Sequence, residues 1–273
     1  MNKYFRKLRE VQDLYRMRKD VRNGVPVKFD FRGKQYHVNS DRSAVYHIRN
    51  STEKIARMTD LVPQDAEVIF DVGGNCGLFS SFAHQVAPKA RIYCFEPSPK
   101  LVPIIKSNIK TDLLEIHEVA VGQCEETLDF YVNPDSEQTN SLNREAVELF
   151  AKPGSIDVHR VDCITLDDFC TRKGIEKIDV LKVDVQGFEG SVFRGCKRMM
   201  STVDLLFVES TWMDIESIVE FLPFAKHYGF KFACVLNPVY MGADILLSRD
   251  EITSTEIKLK FEINDELFAS KWL

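Results

Sequence analysis

Five apolar runs, separated by segments with the residue pattern of helices, constrain the fold of this chain more than any other feature. The runs are EVIFDV (67–72), RIYCFEP (91–97), LEIHEVAV (114–121), IDVLKVDV (178–185) and VDLLFVES (203–210). Runs of this length and composition are typical of buried strands. Because they alternate with helical segments, they predict an α/β fold with a parallel sheet and helices on both of its faces.

The two ends of the chain depart from this alternation. KFACVL (231–236) and ADILLS (243–248) read as strands joined by a short polar link. Such a link suits an antiparallel pair at the edge of an otherwise parallel sheet. Near the other end, VPVKFDFRGKQYHVN (25–39) alternates around a turn-type Arg32-Gly33 pair and predicts a β-hairpin.

These patterns divide the chain into three parts. We expect an extension over residues 1–60, with a basic helix and the hairpin, and a main domain over 61–250. Residues 251–273 form a tail that we expect to pack on that domain. The division leaves one large α/β domain, which the length of 273 residues allows.

Charge is unevenly distributed along the chain. Residues 1–22 carry eight Lys or Arg against three Asp or Glu, and the net charge of −5 therefore leaves −10 on the remainder. An acidic body argues against a nucleic-acid partner, which requires a basic stripe. The basic segment could contact a membrane surface peripherally, bind an acidic partner, form a homodimer or pack on its own domain, and the sequence leaves these alternatives open.

The cysteines and the N-terminal residues predict a compartment. Seven cysteines are scattered without a CxxC pair, which is typical of free thiols in a reducing environment. The first 24 residues lack the continuous apolar stretch of a secretory signal. We therefore expect a cytoplasmic protein.

The segment VIFDVGGNCGLFS (68–80) predicts where a ligand binds. A buried strand reaches Asp71, and Gly73, Gly74 and Gly77 follow before a helical segment begins. In open parallel sheets, ligands lie beyond the carboxyl ends of the strands at the topological switch point. Glycines let the backbone approach a ligand closely, and the N-terminus of the next helix favours an anionic group.

Two classes of ligand compete for this loop. The dinucleotide fingerprint G-x-G-x-x-G fails, because Val72 stands where its first glycine belongs. The pattern acid-x-Gly-x-(Gly/Asn)-x-Gly is matched in full, with Asn75 at its variable position. This loop resembles that of class I S-adenosylmethionine-dependent methyltransferases. Glu96 ends the next strand, where its carboxylate could accept both ribose hydroxyls of either ligand.

Residues 165–195, TLDDFCTRKGIEKIDVLKVDVQGFEGSVFRG, carry a closer resemblance. They are similar to the signature of the FkbM family of methyltransferases, a T-L-D-D-F segment followed by L-K-(I/V)-D-V-E-G-x-E. The matching positions are Leu181, Lys182, Asp184, Val185, Gly187 and Glu189. DVGGNCG, FEPSP, EVAVG (118–122) and the Asn140-Ser141 step also fit, over about residues 65–250. Two positions depart from the family pattern: Gln186 replaces a usual Glu, and Gly74 a usual Ala, which we expect a loop to tolerate.

The resemblance implies a fold, a cofactor and a reaction. The fold is a Rossmann-like class I methyltransferase sandwich, with a mostly parallel seven-stranded sheet and an antiparallel edge strand. The cofactor is S-adenosyl-L-methionine, and the reaction is O-methylation of a small-molecule or glycan acceptor such as a sugar, glycolipid or polyketide. The expected cofactor-binding residues are Asp71, Gly73, Gly74, Asn75, Gly77, Glu96, Pro97, Ala120 and Asp184.

Two residues are candidates for catalysis. Asp184 ends a core strand beside the switch point, where it could be the general base, bind the methionyl ammonium or ligate a metal. His159 precedes the signature segment and could be the base instead. Glu209, at the end of the neighbouring strand, could share a Mg²⁺ with Asp184, but only two ligands are evident and we do not favour a metal site. Glu189 could cap a helix or pair with Lys182.

The leading hypothesis is thus an S-adenosylmethionine-dependent O-methyltransferase. An NAD(P)-dependent oxidoreductase on a similar sheet is the first alternative, and the missing glycine at position 72 argues against it. The second alternative is a non-catalytic protein with the methyltransferase fold, which Gln186 keeps open.

Overall fold

The computed structural model describes residues 25–39, 41, 44, 51–211, 223–239, 242–251 and 259–262. The expected basic helix within residues 1–24 lies outside these ranges. The described strands are β1 (Val27–Phe31), β2 (Lys34–Val38), β3 (Val68–Val72), β4 (Arg91–Phe95), β5 (Leu114–His117), β6 (Ala120–Val121), β7 (Glu126–Val132), β8 (Asp157–Ile164), β9 (Val180–Val183), β10 (Leu205–Thr211), β11 (Phe232–Val239), β12 (Gly242–Ser248) and β13 (Leu259–Glu262). The helices are α1 (Thr52–Thr59), α2 (Leu78–Val86), α3 (Val102–Asn108), α4 (Arg144–Glu148), α5 (Leu166–Lys173), α6 (Glu189–Arg194) and α7 (Lys197–Met200).

The central sheet has the predicted mixed architecture. Its spatial order is β13-β11-β12-β10-β9-β3-β4-β5. The five strands from β5 to β10 run parallel, and β12 pairs antiparallel with both β10 and β11. The class I α/β fold is thereby confirmed. The tail contributes an eighth strand, β13, which pairs antiparallel with β11 and lies outside the seven predicted.

The order of the strands places the switch point between β3 and β9. From β3 the chain continues to β4 and β5 on one side, and β9 and β10 lie on the other. The register sets Asp71 beside Lys182 and Val72 beside Val183. The carboxyl ends of β3 and β9 therefore meet where the glycine loop begins.

Helices pack on both faces of the central sheet, because side chains along each strand point alternately to one face and the other. Phe70 and Val72 of β3 join a core cluster with residues of α5, α6 and α7. Ile69, on the opposite face, packs with residues of α1 and α2, such as Met58 and Phe79. Because successive side chains of a strand point to opposite faces, one apolar strand serves two cores. Asp71 shares the parity of Ile69.

The hairpin packs on the main domain through an apolar face. Arg32 and Gly33 both have positive φ, 45° and 79°, as the tight turn between β1 and β2 requires. Tyr36 packs edge-on against Phe82 of α2 at 5.1 Å between ring centroids. Asn108 of α3 accepts from the main-chain N–H of His37 and donates to its carbonyl, at 2.7 and 2.8 Å. The hairpin thus packs on α2, which follows the glycine loop, and on α3, which follows β4.

One predicted strand is divided in the structure. The run LEIHEVAV ends its strand at His117, and β6 joins a separate three-stranded sheet of order β6-β8-β7. The helix that follows β4 begins at Val102, after a turn over residues 99–101, and the Ser98 N–H donates to Glu96 (2.9 Å). Gly195 separates α6 from α7, and a Cβ there would lie 1.9 Å from the carbonyl oxygen of Gly122.

Candidate active site

The glycine loop is fixed by backbone contacts on both sides. The N–H groups of Gly73 and Gly74 both donate to the carbonyl of Phe95, at 3.0 Å. Gly73 has φ +79°, and a Cβ there would lie 1.8 Å from the carbonyl oxygen of Asp184. The loop is therefore held between the ends of β4 and β9, and no side chain fits at position 73.

The space beside Gly74 is occupied by a side chain. A Cβ at this position would lie 2.2 Å from Sγ of Cys94, which is fully buried on β4. Glycine therefore suits this position, where the Cβ of the usual Ala would require Cys94 to shift. Gly77 has φ +76° at the N-cap of α2, and its Cα faces Ile105 of α3.

Asp71 supports the loop from behind. Its side chain is fully buried, and Oδ2 accepts from both the N–H (3.2 Å) and the hydroxyl (2.7 Å) of Ser80 in the first turn of α2. Its Oδ1 lies 3.2 Å from Nζ of Lys182. The carboxylate thus joins the start of α2 to β9 and does not itself line the cavity described below.

Glu96 presents a buried carboxylate beside the loop. Its Oε2 accepts from the N–H of Asn75 at 2.7 Å, and its Oε1 from the N–H of Ser98 at 2.9 Å. Burial raises the pKa of Glu96 to about 7, although these two N–H groups favour the ionised form. Each oxygen keeps a further lone pair, so the carboxylate can still accept from two ligand hydroxyls.

A cavity of about 620 Å³ opens beyond the carboxyl ends of the strands. This volume is typical of cofactor and small-molecule sites. Of the residues predicted to bind cofactor, the following line the cavity: Gly73, Gly74, Asn75, Glu96, Pro97, Ala120 and Asp184. Asp71 and Gly77 lie behind this wall. A glycine edge that admits no Cβ and a carboxylate with free lone pairs fit the methionyl and ribose parts of S-adenosylmethionine.

A buried ammonium links the loop to Asp184. Nζ of Lys182 donates to the carbonyl of Gly73 at 2.6 Å and lies 3.6 Å from Oδ2 of Asp184. Burial alone would lower the pKa of Lys182, but the carboxylates of Asp71 and Asp184 raise it above its usual range. Lys182 stays charged and holds the ends of β3 and β9 together. Of the two alternatives considered for Glu189, the structure shows contacts with backbone N–H groups, those of Val185 and Gly187, and not a pairing with Lys182.

The polar chain continues across the next two strand ends. The side-chain amide of Gln186 donates to Oδ1 of Asp184 (2.7 Å) and to Oε2 of Glu209 (2.5 Å). Nζ of Lys54, from α1, lies 3.0 Å from Oε1 of Glu209 and 2.9 Å from Oδ1 of Asp244. Two ammonium groups and one amide therefore separate four carboxylates along the edge of the sheet.

The pKa values of Asp184 and Glu209, the two central carboxyls in this row of polar groups, are shifted in opposite directions. Burial opposes ionisation of Asp184, but the charges of Lys182 and Lys54 and the hydrogen bonds from Glu209 and Gln186 together outweigh it and lower the pKa of that carboxyl well below its usual range. Burial and the neighbouring charge of Asp184 raise the pKa of Glu209. Such a pair titrates as a unit, with Asp184 ionised first.

The loop after Asp184 is held in a strained conformation. Gln186 has φ +55°, which is rare for a residue other than glycine. Glu189 accepts from the N–H groups of Val185 (3.0 Å) and Gly187 (3.0 Å), and the hydroxyl of Ser141 donates to the carbonyl of Gln186 at 2.8 Å. These hydrogen bonds hold the turn in its strained conformation. In this conformation the Gln186 amide reaches the carboxylates of both Asp184 and Glu209.

The structure does not bring His159 to this site. It lies on β8, opposite Phe130 in the register, with an exposed side chain, and it does not line the cavity. Asn140 and Ser141 do line it, and Asn140 fixes its own loop by accepting from the N–H of Asn133 at 2.8 Å.

Sequence reasoning missed Lys54 and Asp244. Asp244 stands opposite Glu209 in the antiparallel register of β10 and β12, so a correct register would have found it. Lys54 comes from a polar helix remote in sequence, and no pattern in the chain points to it. Among the described residues, no group of three or more His, Cys, Asp or Glu is arranged to hold a metal ion.

Comparison with known proteins gives the family. The sequence model described as "Methyltransferase FkbM domain" matches residues 71–232. The 2-O-methyltransferase NoeI of Sinorhizobium fredii is 29% identical over 174 residues, 58% of this chain and 70% of its own length. The 31-O-demethyl-FK506 methyltransferase FkbM of Streptomyces tacrolimicus is 23% identical over 249 residues, 77% of this chain and 90% of its own.

A third relative and a solved structure extend this set. The hexuronic acid methyltransferase AglP of Haloferax volcanii is 23% identical and covers 66% of this chain and 70% of its own. An O-methyltransferase from Bacillus cereus in complex with S-adenosylhomocysteine is 12% identical with a TM-score of 0.44, over 73% of this chain and 81% of that one.

The sheet order, the glycine loop at the switch point and Glu96 define a class I S-adenosylmethionine-dependent methyltransferase. The matched segment spans more than half of the sequence. The chain belongs to the FkbM methyltransferase family, as its sequence motifs predict, and the oxidoreductase alternative is not favoured. In the described ranges, no helix combines the length and apolar character needed to cross a membrane.

Proposed function

We propose that this protein transfers a methyl group from S-adenosylmethionine to a hydroxyl of a sugar-, glycolipid- or polyketide-type acceptor. The relatives named for 2-O-methylation and for a 31-O-demethyl substrate support oxygen as the methylated atom. The observation that carries the proposal is the position of Asp184. Its partly exposed carboxylate lines the same cavity as the glycine loop, and its backbone carbonyl touches Gly73.

Three parts of the cavity would hold the donor. Glu96 would accept from the ribose hydroxyls, the loop from Gly73 to Asn75 would contact the methionyl part, and Pro97 with Ala120 would form an apolar wall. When bound, S-adenosylmethionine supplies a methyl group activated by a sulfonium. The task left to the protein is to align the acceptor oxygen and to exclude water.

The acceptor hydroxyl must lose its proton as its oxygen attacks. We assign this proton to the carboxyl pair of Asp184 and Glu209, which the Gln186 amide joins. Asp184 is a weak base because Lys182 stabilises its ionised form, whereas the raised pKa of Glu209 makes its carboxylate the stronger base of the pair. Asp184 therefore orients the hydroxyl, and Glu209 receives its proton.

The same contacts favour a reaction that does not require Mg²⁺. Lys54 lies between the carboxylates of Glu209 and Asp244, and Gln186 lies between those of Asp184 and Glu209. Positive or donating groups thus stand where a cation would have to bind. Added EDTA is expected to leave methyl transfer unchanged, and a loss of activity that Mg²⁺ restores would contradict this assignment.

The basic segment of residues 1–22 is the proposed seat of contacts outside the cavity. Its net charge of +5 suits an anionic membrane surface or an acidic partner, and it could also mediate a homodimer. A cytoplasmic location is consistent with this proposal. Flotation with anionic and neutral vesicles, together with light scattering, would separate these contacts.

The proposed reaction is tested with methyl-deuterated S-adenosylmethionine. The purified protein is incubated with this donor and with a set of neutral glycosides, uronic acid glycosides and macrocyclic polyketides, and the products are analysed by mass spectrometry and NMR. The expected product carries one labelled methyl group on a hydroxyl oxygen, and the variant Glu209→Gln forms it at least about a hundredfold more slowly. A label on nitrogen or carbon would refute O-methylation.

A further inference from the structure

Lys54 enters the active site from outside the matched segment. The family match covers residues 71–232, whereas Lys54 belongs to α1 and its partner Asp244 to β12. Asp244 is 2% exposed, and the Lys54 side chain is 24% exposed. Burial opposes the charge of Lys54, but Glu209 and Asp244 raise its pKa above the usual range. A partly buried, charged lysine that contacts Glu209 affects how strongly that carboxyl binds a proton.

The edge of the sheet carries an excess of negative charge. The ammonium groups of Lys54 and Lys182 each lie within 4.0 Å of two carboxylates, so four acidic side chains surround two positive charges. Carboxylates this close to one another cannot all ionise cheaply. Glu189, whose pKa burial raises to about 7, lies under the same loop. The charged and titratable groups that face Glu209 or its partners are Lys54, Asp71, Lys182, Asp184, Glu189 and Asp244.

The donor brings a positive charge to this edge. Asp184 and the glycine loop line one cavity, and S-adenosylmethionine differs from its product S-adenosylhomocysteine by the charge of the sulfonium. A cation beside a pair of carboxyls lowers their affinity for a proton. We infer that the Asp184–Glu209 pair holds one proton in the free enzyme and releases it when the cationic donor binds. Lys54 sets the pH of this release. This inference rests on the proposed function.

This linkage balances the charges of the reaction. On donor binding, the O–H bond of the pair breaks and its proton passes to solvent, which leaves a carboxylate. During methyl transfer the acceptor oxygen forms a bond to the methyl carbon as the bond from that carbon to sulfur breaks, and the electron pair of the broken bond remains on sulfur, which becomes a neutral thioether. The acceptor O–H bond breaks in the same step, and its proton joins that carboxylate. The sum of charges in the cavity is unchanged by the chemical step. The pair is therefore a base only while the donor is loaded.

The test measures protons released on ligand binding. Calorimetric titrations with S-adenosylmethionine and with S-adenosylhomocysteine are run in buffers of different ionisation enthalpy, from about pH 6 to about pH 9. Both ligands carry the same ribose and amino acid, so their difference removes contributions from Glu96 and from the ligand amine. The expected difference approaches about one proton per site at its maximum.

Variants assign the proton and the role of Lys54. Glu209→Gln is expected to bind S-adenosylmethionine and to abolish the difference in proton release. Lys54→Met removes a cation from the pair, so the pH of maximal release is expected to rise by about 1 unit or more. Lys54→Arg is expected to restore the wild-type pH. Arg57→Met, on the exposed face of the same helix, serves as the control and should match the wild type.

The outcomes separate the two claims. If the wild type does not bind S-adenosylmethionine, the proposed function fails. If it binds with equal proton release for both ligands, or if Glu209→Gln retains the difference, only the inference is overturned. An unchanged pH of release in a folded Lys54→Met variant would likewise refute the role of Lys54.

Discussion

Substitution of Gly73 by alanine tests the geometry on which the cofactor site depends. A Cβ at this position would lie 1.8 Å from the carbonyl oxygen of Asp184, whereas real contacts of this kind stay above 3.0 Å. The ends of β3 and β9 would therefore have to separate by about 1.2 Å. The same residue has φ +79°, so alanine would also be strained without any contact.

The cost follows from the contacts that such a separation breaks. The N–H of Asp184 donates to the carbonyl of Val72 at 3.1 Å, and Lys182 donates to the carbonyl of Gly73 at 2.6 Å. Positive φ costs alanine about 1–2 kcal/mol, and the two hydrogen bonds are worth about 1 and about 2 kcal/mol. Gly73→Ala is therefore expected to lower the free energy of unfolding by about 4–5 kcal/mol.

Gly154→Ala is the matched control. Gly154 has φ +77° and no atom within 4 Å of the added Cβ, so it reports the conformational cost alone, about 1–2 kcal/mol. Urea unfolding of both variants gives the free energies, and titration with S-adenosylhomocysteine gives the affinity. Equal losses of stability in the two variants, or unchanged binding by Gly73→Ala, would refute the close approach of the loop to β9.

Two further predictions concern the neighbourhood of the loop. Gly74→Ala is expected to lower the free energy of unfolding by about 2 kcal/mol, because its Cβ collides with Cys94. The double variant with Cys94→Ala should recover most of that loss. Additive effects of the two substitutions in a double-mutant cycle would contradict this contact. Because burial raises the pKa of Glu96 to about 7, its contribution to stability is complete at low pH and is lost as pH rises through about 7. As pH rises from about 5 to about 8, the wild type should therefore lose up to about 3 kcal/mol more of its free energy of unfolding than Glu96→Gln does. Parallel curves of stability against pH for the two proteins would show that Glu96 is not buried in this way.

The sequence predicts the parts of the site that depend on strand order. Alternating strands and helices place the ends of the first and fourth core strands together, so Asp71, the glycine loop and Asp184 were correctly expected at one edge. Glu96 follows from the same rule, because it ends the strand next to β3. These predictions need no side-chain geometry, only the topology of a parallel sheet.

The remaining features depend on packing that a linear pattern does not contain. The run from Leu114 to Val121 is continuous in sequence, yet it divides between two sheets because Ala120–Val121 pairs with β8. The requirement for Gly74 arises from Cys94, twenty residues away on another strand. Lys54 reaches Glu209 only because α1 packs on α2 beside the edge of the sheet.

The assignment of the cavity is tested by calorimetric titration of the purified protein with S-adenosylhomocysteine, with NAD⁺ and the variant Glu96→Ala run in parallel. We expect S-adenosylhomocysteine to bind with a Kd of about micromolar order and NAD⁺ not to bind. Glu96→Ala is expected to lose about tenfold or more in affinity, because two hydrogen bonds to a charged acceptor are removed. Binding of NAD⁺ in place of S-adenosylhomocysteine, or binding that Glu96→Ala leaves intact, would contradict the assignment of the cavity.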